Sequence, residues 1–159
     1  MTKSKKKSSS KDPVINYGVL NTSLGYVIRR AQLRIFQEFN HFFEALDIKP
    51  AQFSTLEIIH KNPGLRQTTL AKALKIQRTN MVGMLDKLQQ RGLIERKASD
   101  KDLRAHALHL TSKGEKLLEH LHRQFYEHEG LLLERLGDES YEQVREGLLK
   151  IISSDHILD

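Results

Sequence analysis

The 159 residues include no cysteine, which excludes disulfides, thiolate metal sites and thiol redox switching together. No apolar run approaches the roughly twenty residues of a membrane helix. The start, Met1-Thr-Lys-Ser-Lys-Lys-Lys-Ser-Ser-Ser-Lys11, is basic with no apolar stretch behind it, so it is not a signal peptide and a cytoplasmic location is expected. A glycine-rich phosphate loop, a nucleophile motif and a dinucleotide fingerprint are all missing, so the sequence points to no enzyme and no cofactor. Eight histidines do not add up to a metal site. On a helix His120 and His122 point about 200° apart, and no histidine–carboxylate pattern of a metalloprotease occurs.

What is present is charge, unevenly placed. The formal net charge is +6. Residues 1–12 carry +4, five Lys against one Asp, and residues 75–104 carry another +4, eight basic against four acidic side chains. Residues 112–159 carry −5, six basic against eleven acidic. This asymmetry reads as a positioned basic face on a soluble body rather than a uniformly basic coat.

The second basic region coincides with the most organised stretch, Arg66 to Thr111. Gln67-Thr-Thr-Leu-Ala-Lys-Ala-Leu74 predicts a short helix with Leu70, Ala71 and Leu74 on one face, the small Ala71 allowing another helix to cross close by. Arg78 to Arg91 predicts that second helix, with Met81, Met84, Leu85 and Leu88 as its buried stripe and Gly92 at the C′ position. The remaining face carries Arg78, Thr79, Asn80, Val82, Gly83, Asp86 and Lys87, an inventory suited to reading base edges in a major groove. Leu93–Lys97 and Ala105–Leu110 then predict two strands joined by a polar tip that holds Lys101 and Arg104. The pattern is a winged helix-turn-helix.

Leu70-Ala71, Asp86-Lys87-Leu88, Arg91-Gly92-Leu93-Ile94, Asp102-Leu103-Arg104-Ala105 and Leu110-Thr111-Ser112-Lys113-Gly114 resemble, in order and spacing, the signature of the MarR family of bacterial transcriptional regulators. Leu46-Asp-Ile-Lys-Pro-Ala-Gln52 extends the resemblance outward, to roughly residues 20–150. Two positions depart from it. Gly83 stands where the family usually has a basic residue, and Lys101 stands in place of a wing-tip arginine. The lack of cysteine also sets the chain apart from members that sense peroxide through a thiol.

Outside this module, Leu20 to Leu46 predicts a long helix with Leu24, Ile28, Ala31, Ile35, Phe39, Phe42 and Leu46 on one side, widened by Phe36 and Phe43. So much apolar surface requires more than one neighbour. Pro50 fits the first turn of the next helix, which Asn62-Pro-Gly64 ends. Thr111 predicts an N-cap for a helix towards Leu136, and Gly137-Asp138 separates it from a last helix carrying Tyr141, Val144, Leu148 and Ile151 on one face. The fold class is therefore mainly α with a small β-hairpin wing. Residues 1–16 read as a disordered basic tail, 49–111 as the winged helix-turn-helix DNA-binding domain, and 17–48 with 112–155 as a helical region for homodimerisation.

The resemblance implies a repressor whose two recognition helices enter successive major grooves of a pseudo-palindromic operator in double-stranded DNA. Arg78, Thr79 and Asn80 would contact bases or phosphates, Lys87 the backbone and Lys101 the neighbouring minor groove, while Arg104 would contact DNA or brace the hairpin. Asp102 would shape the wing. The family usually responds to a small ligand, often an aromatic acid. Tyr26, Arg29, Arg30 and Arg34, with Phe39, Phe43 and Phe53, offer a cationic rim over an aromatic floor, and the density of arginines suits an aryl-coenzyme A thioester such as a hydroxycinnamoyl thioester. The competing reading is a DNA-architectural protein with no effector.

Overall fold

The computed structural model describes residues 14–99 and 102–153, with the side chains of 98, 99 and 102–106 left aside. It separates into two compact units, one up to Ile35 and one from Phe36 onward. The amino-terminal tail up to Pro13, Lys101 at the wing tip and the last six residues of the chain lie outside the described residues.

In the first unit a 3-10 turn, Gly18–Thr22, precedes helix α1, Leu24–Phe43. The helix starts later than the apolar pattern suggests because Ser23 caps it: its Oγ accepts from the Tyr26 amide at 3.3 Å. The Tyr17 and Tyr26 rings approach at 6.1 Å, and the Arg30 guanidinium sits 5.7 Å from the Tyr17 centroid, in range of a cation–π contact. None of the described residues up to Ile35 is buried, and Val14, Val19, Leu24 and Val27 are exposed.

The second unit begins with the last two turns of α1, which bury Phe39 and Phe43. A 3-10 turn at Glu44–Leu46 and a left-handed Asp47 (φ 48°) end the run. Helix α2, Pro50–Lys61, has its proline at N1, where the missing N–H costs nothing. The Gln52 side chain completes the cap by accepting from the Lys49 amide at 2.9 Å. After Gly64 comes strand β1, Leu65–Arg66, then α3, Gln67–Ala73, and α4, Arg78–Gln90. Strands β2, Ile94–Ser99, and β3, Asp102–Leu110, form the wing. Helices α5, Ser112–Leu136, and α6, Asp138–Ser153, complete the unit.

The sheet is antiparallel in the order β1-β3-β2, so the short β1 adds a strand that periodicity alone does not predict. Leu65 pairs with Leu108, and Ile94 with Leu110. One core runs from the end of α1 through α2, α3, α4 and the sheet to α5, with Phe43, Leu56, Leu70, Leu85, Leu108 and Leu121 fully buried. Helix α6 buries nothing, and Val144, Leu148, Leu149 and Ile152 stay exposed along it. Among the described residues no helix is long and apolar enough to cross a membrane.

Candidate nucleic-acid interface

Helix α3 buries Leu70 and Ala71, and α4 buries Met81, Leu85 and Leu88 against the same core. The turn between them closes where the Ile76 amide donates to Ala71 O at 3.0 Å and Lys75 takes a left-handed conformation (φ 50°). This fixes the opposite face of α4 outward. Arg78, Thr79, Asn80, Val82, Gly83 and Lys87 are all exposed. Gln77, the N-cap, supplies no side-chain bond, so the amides of the first turn remain free to meet an anion. An open groove of about 580 Å³ between the two helices is lined by Thr68, Lys72, Lys75, Gln77 and Arg78 together with Ala71 and Ile76. Its three cations lie at the same end of α4.

Asp86 belongs to the outward inventory by sequence, yet the fold gives it an internal partner. Its Oδ1 accepts from Arg96 Nη2 on β2 at 2.7 Å, and Arg96 Nη1 donates to the Gln89 side chain. The recognition helix is thereby tied to the wing. Nothing in the local sequence marks Arg96 for this role; only the turn at Gly92 brings it back beside α4.

Arg91-Gly92-Leu93-Ile94 and Leu110-Thr111-Ser112-Lys113-Gly114 form one joint. Gly92 adopts φ 68°, and the Leu93 amide reaches back to Leu88 O at 3.0 Å, closing the end of α4. Arg91 donates to the carbonyls of Asp47 and Leu46 at 2.6 and 3.0 Å. Thr111 Oγ1 donates to Gly92 O at 2.6 Å and accepts from the Gly114 amide at 3.0 Å, as an N-cap of α5 does. Leu93 and Ile94 are buried in the core.

In the wing, Asp102 and Arg104 are the first and third residues of β3, and Ser99 pairs with Asp102 next to the tip, after a shift in register at Ala98. Lys101 lies outside the described residues.

The residues of the expected effector site fall in both units. Tyr26, Arg29, Arg30 and Arg34 belong to the first, with the three arginines exposed. Phe39, Phe43 and Phe53 belong to the second, where they form an aromatic cluster. Phe39 and Phe43 stack at 3.8 Å between centroids, Phe53 lies 5.9 and 5.8 Å from them, and Phe125 is 5.2 Å from Phe53. His128 of α5 is buried beside Phe39 and Phe42. The spacing Leu121, Phe125, His128, Leu132 places it on the apolar stripe of that helix, the signal by which its burial is readable. His122 pairs instead with Glu57 at 2.6 Å, joining α5 to α2. Among the described residues no three histidines and carboxylates gather as a metal site would require.

The sequence profile of the MarR family matches residues 48–106. The protein assigned to regulate the hcr operon of Thauera aromatica is 30% identical over 123 residues, 77% of this chain and 74% of that protein. Among solved structures, the transcriptional repressor CouR bound to p-coumaroyl-CoA superposes with a TM-score of 0.83 at 38% identity, covering 89% of this chain and 99% of that one. CouR bound to a 23-mer DNA duplex gives 0.79 at 40% identity over 89% and 98% of the two chains.

Fold, exposed α4 face and wing define a winged helix-turn-helix transcriptional regulator. The chain belongs to the MarR family.

Proposed function

We propose that this regulator is a homodimeric, cytoplasmic, non-enzymatic repressor that leaves a pseudo-palindromic operator when an aromatic acid or its acyl-coenzyme A thioester binds. The observation that carries the reading is the cationic, hydrogen-bonding amino end of α4, held outward beside a wing, in a chain 38–40% identical to CouR in its complexes with p-coumaroyl-CoA and with DNA. Exposed apolar side chains on the first unit and along α6 support pairing of two chains through residues 17–48 and 112–155, with 49–111 as the reading domain. Two recognition helices would then enter grooves roughly 34–36 Å apart.

In this reading Arg78, Thr79 and Asn80 meet base edges or phosphates, and Lys87 meets the backbone. Lys101 serves the flanking minor groove, Arg104 contacts DNA or braces the hairpin, and Asp102 shapes the wing. Tyr26, Arg29, Arg30 and Arg34 supply the rim for an anionic ligand, and Phe39, Phe43 and Phe53 the aromatic floor.

Fluorescence anisotropy on DNA upstream of the protein's own gene tests both halves. Selective binding that free hydroxycinnamic acids or their thioesters reverse is the expected result. Selective binding that neither reverses discards the effector, and binding no better than to scrambled DNA favours an architectural protein. Within the interface, Lys87→Ala is expected to weaken cognate and scrambled DNA alike and to lower the salt slope by about one. Asn80→Ala should instead relax preference at one base position. Equal losses on both DNAs for both variants would contradict these roles.

A further inference from the structure

Helix α5 buries one polar side chain that its surroundings leave unused. His128 is 1% exposed, and neither ring nitrogen has a hydrogen-bond partner among the described residues. Glu129 Oε1 stands 3.7 Å from Nδ1, beyond hydrogen-bond reach. The other oxygen of that carboxylate accepts from the Tyr141 hydroxyl at 2.5 Å, a bond that raises the tyrosine pKa. What surrounds the imidazole is aromatic: Phe42 lies edge-on at 5.6 Å and Phe39 at 6.1 Å between centroids. Phe43 and Phe53 continue the wall from Phe39.

A neutral imidazole carries one donor and one acceptor in either tautomer. Here both are buried without a hydrogen bond among the described residues to replace those to water, where a leucine would pack without that penalty. An orphaned hydrogen-bonding group set in a wall of phenyl rings is matched by a ligand of the same composition, a planar ring that carries a hydroxyl. We propose that His128 hydrogen-bonds the ring hydroxyl of the aromatic effector and so selects hydroxylated arenes over unsubstituted ones. This rests on the effector reading given above. Phe42 and Phe53 of this aromatic cluster are only half-buried.

The test uses the full chain on operator DNA with p-coumaroyl-CoA and cinnamoyl-CoA, which differ by that one hydroxyl. The wild type is expected to release DNA at a concentration of the hydroxylated thioester about tenfold or more below that of the other. His128→Leu should raise the requirement for p-coumaroyl-CoA to that for cinnamoyl-CoA, leaving cinnamoyl-CoA potency, effector-free DNA affinity and melting temperature unreduced. His128→Gln, which keeps a donor and an acceptor, should restore part of the difference. Equal potency on the wild type, or undiminished discrimination by His128→Leu, overturns the assignment while sparing the effector reading; release by neither thioester overturns both. Should His128→Leu fail to fold, the imidazole nitrogen resonances of the wild type decide. The hydroxylated thioester alone should move those of His128, and unmoved resonances refute the contact.

Discussion

Gly114→Ala is expected to lower the melting temperature by roughly 5–15 °C, a loss of about 2–4 kcal/mol. Helix propensity argues the other way, since alanine favours a helix interior over glycine by about 1 kcal/mol. Packing decides the sign. A Cβ at position 114 would lie 2.0 Å from the Leu93 carbonyl oxygen and 3.0 Å from its carbon, both backbone atoms. The same carbonyl accepts from the Thr111 amide at 3.1 Å, so α5 cannot back away without breaking the joint that seats it against the end of α4. Gly130→Ala is the internal control. In the same helix the added methyl there meets nothing within 4 Å, and a gain of about 0.5–1 kcal/mol is expected. Thermal unfolding of both variants checks the pair, and a Gly114→Ala protein as stable as the wild type would contradict the close approach.

Asp86→Ala is expected to weaken binding to the cognate operator about tenfold, equivalent to ~1.4 kcal/mol. Electrostatics alone predicts the opposite, because the substitution removes a negative charge from the helix presented to phosphates. The clamp outweighs it. Asp86 and Gln89 share the Arg96 fork, which is four-fifths buried (side-chain exposure 20%), and that fork sets the rotation of α4 relative to the wing. Freed from it, the recognition helix loses register with base edges, while contacts to the backbone of any duplex survive. Scrambled DNA should therefore bind as well as before or better, and the selectivity ratio should collapse. Arg96→Lys should not substitute for arginine, since an ammonium lacks the planar fork that reaches two acceptors. Anisotropy titrations of cognate and scrambled duplexes across salt concentrations separate the effects. Tighter cognate binding by Asp86→Ala would show that its charge, not its bond, matters.

Both residues belong to motifs visible in the sequence, but the sequence does not reveal why they are needed. Gly114 follows Thr111 at the spacing of an N-cap's accepted amide, so the cap is readable while the carbonyl of Leu93, twenty-one positions upstream, is not. Asp86 sits on the outward face of a periodic helix and looks available for DNA, because its arginine arrives through a strand. Arg91 is likewise unremarkable until its guanidinium is found on carbonyls forty-four and forty-five residues away. Strand β1 has two residues, too few for any period to register. The residues proposed for the effector site show the limit most clearly. Aromatic side chains at helical spacing identify a stripe, but that spacing cannot distinguish a packed core from a ligand's walls.

Local chemistry, then, determined the order of the helices and of the two wing strands by itself. Apolar positions three and four apart define α2 to α6, Pro50 and Thr111 start helices, Gly92 and Gly137 end them, and alternation marks the wing. These signals act within a few residues, where backbone dihedrals and hydrophobic faces are set. The tertiary structure alone decided which polar groups find partners. Arg96 takes Asp86, Arg91 takes the turn after α1, and His122 takes Glu57, while His128 is carried into the aromatic core with no hydrogen-bond partner among the described residues. Such pairings depend on distances between elements far apart in the chain, which a linear pattern does not encode.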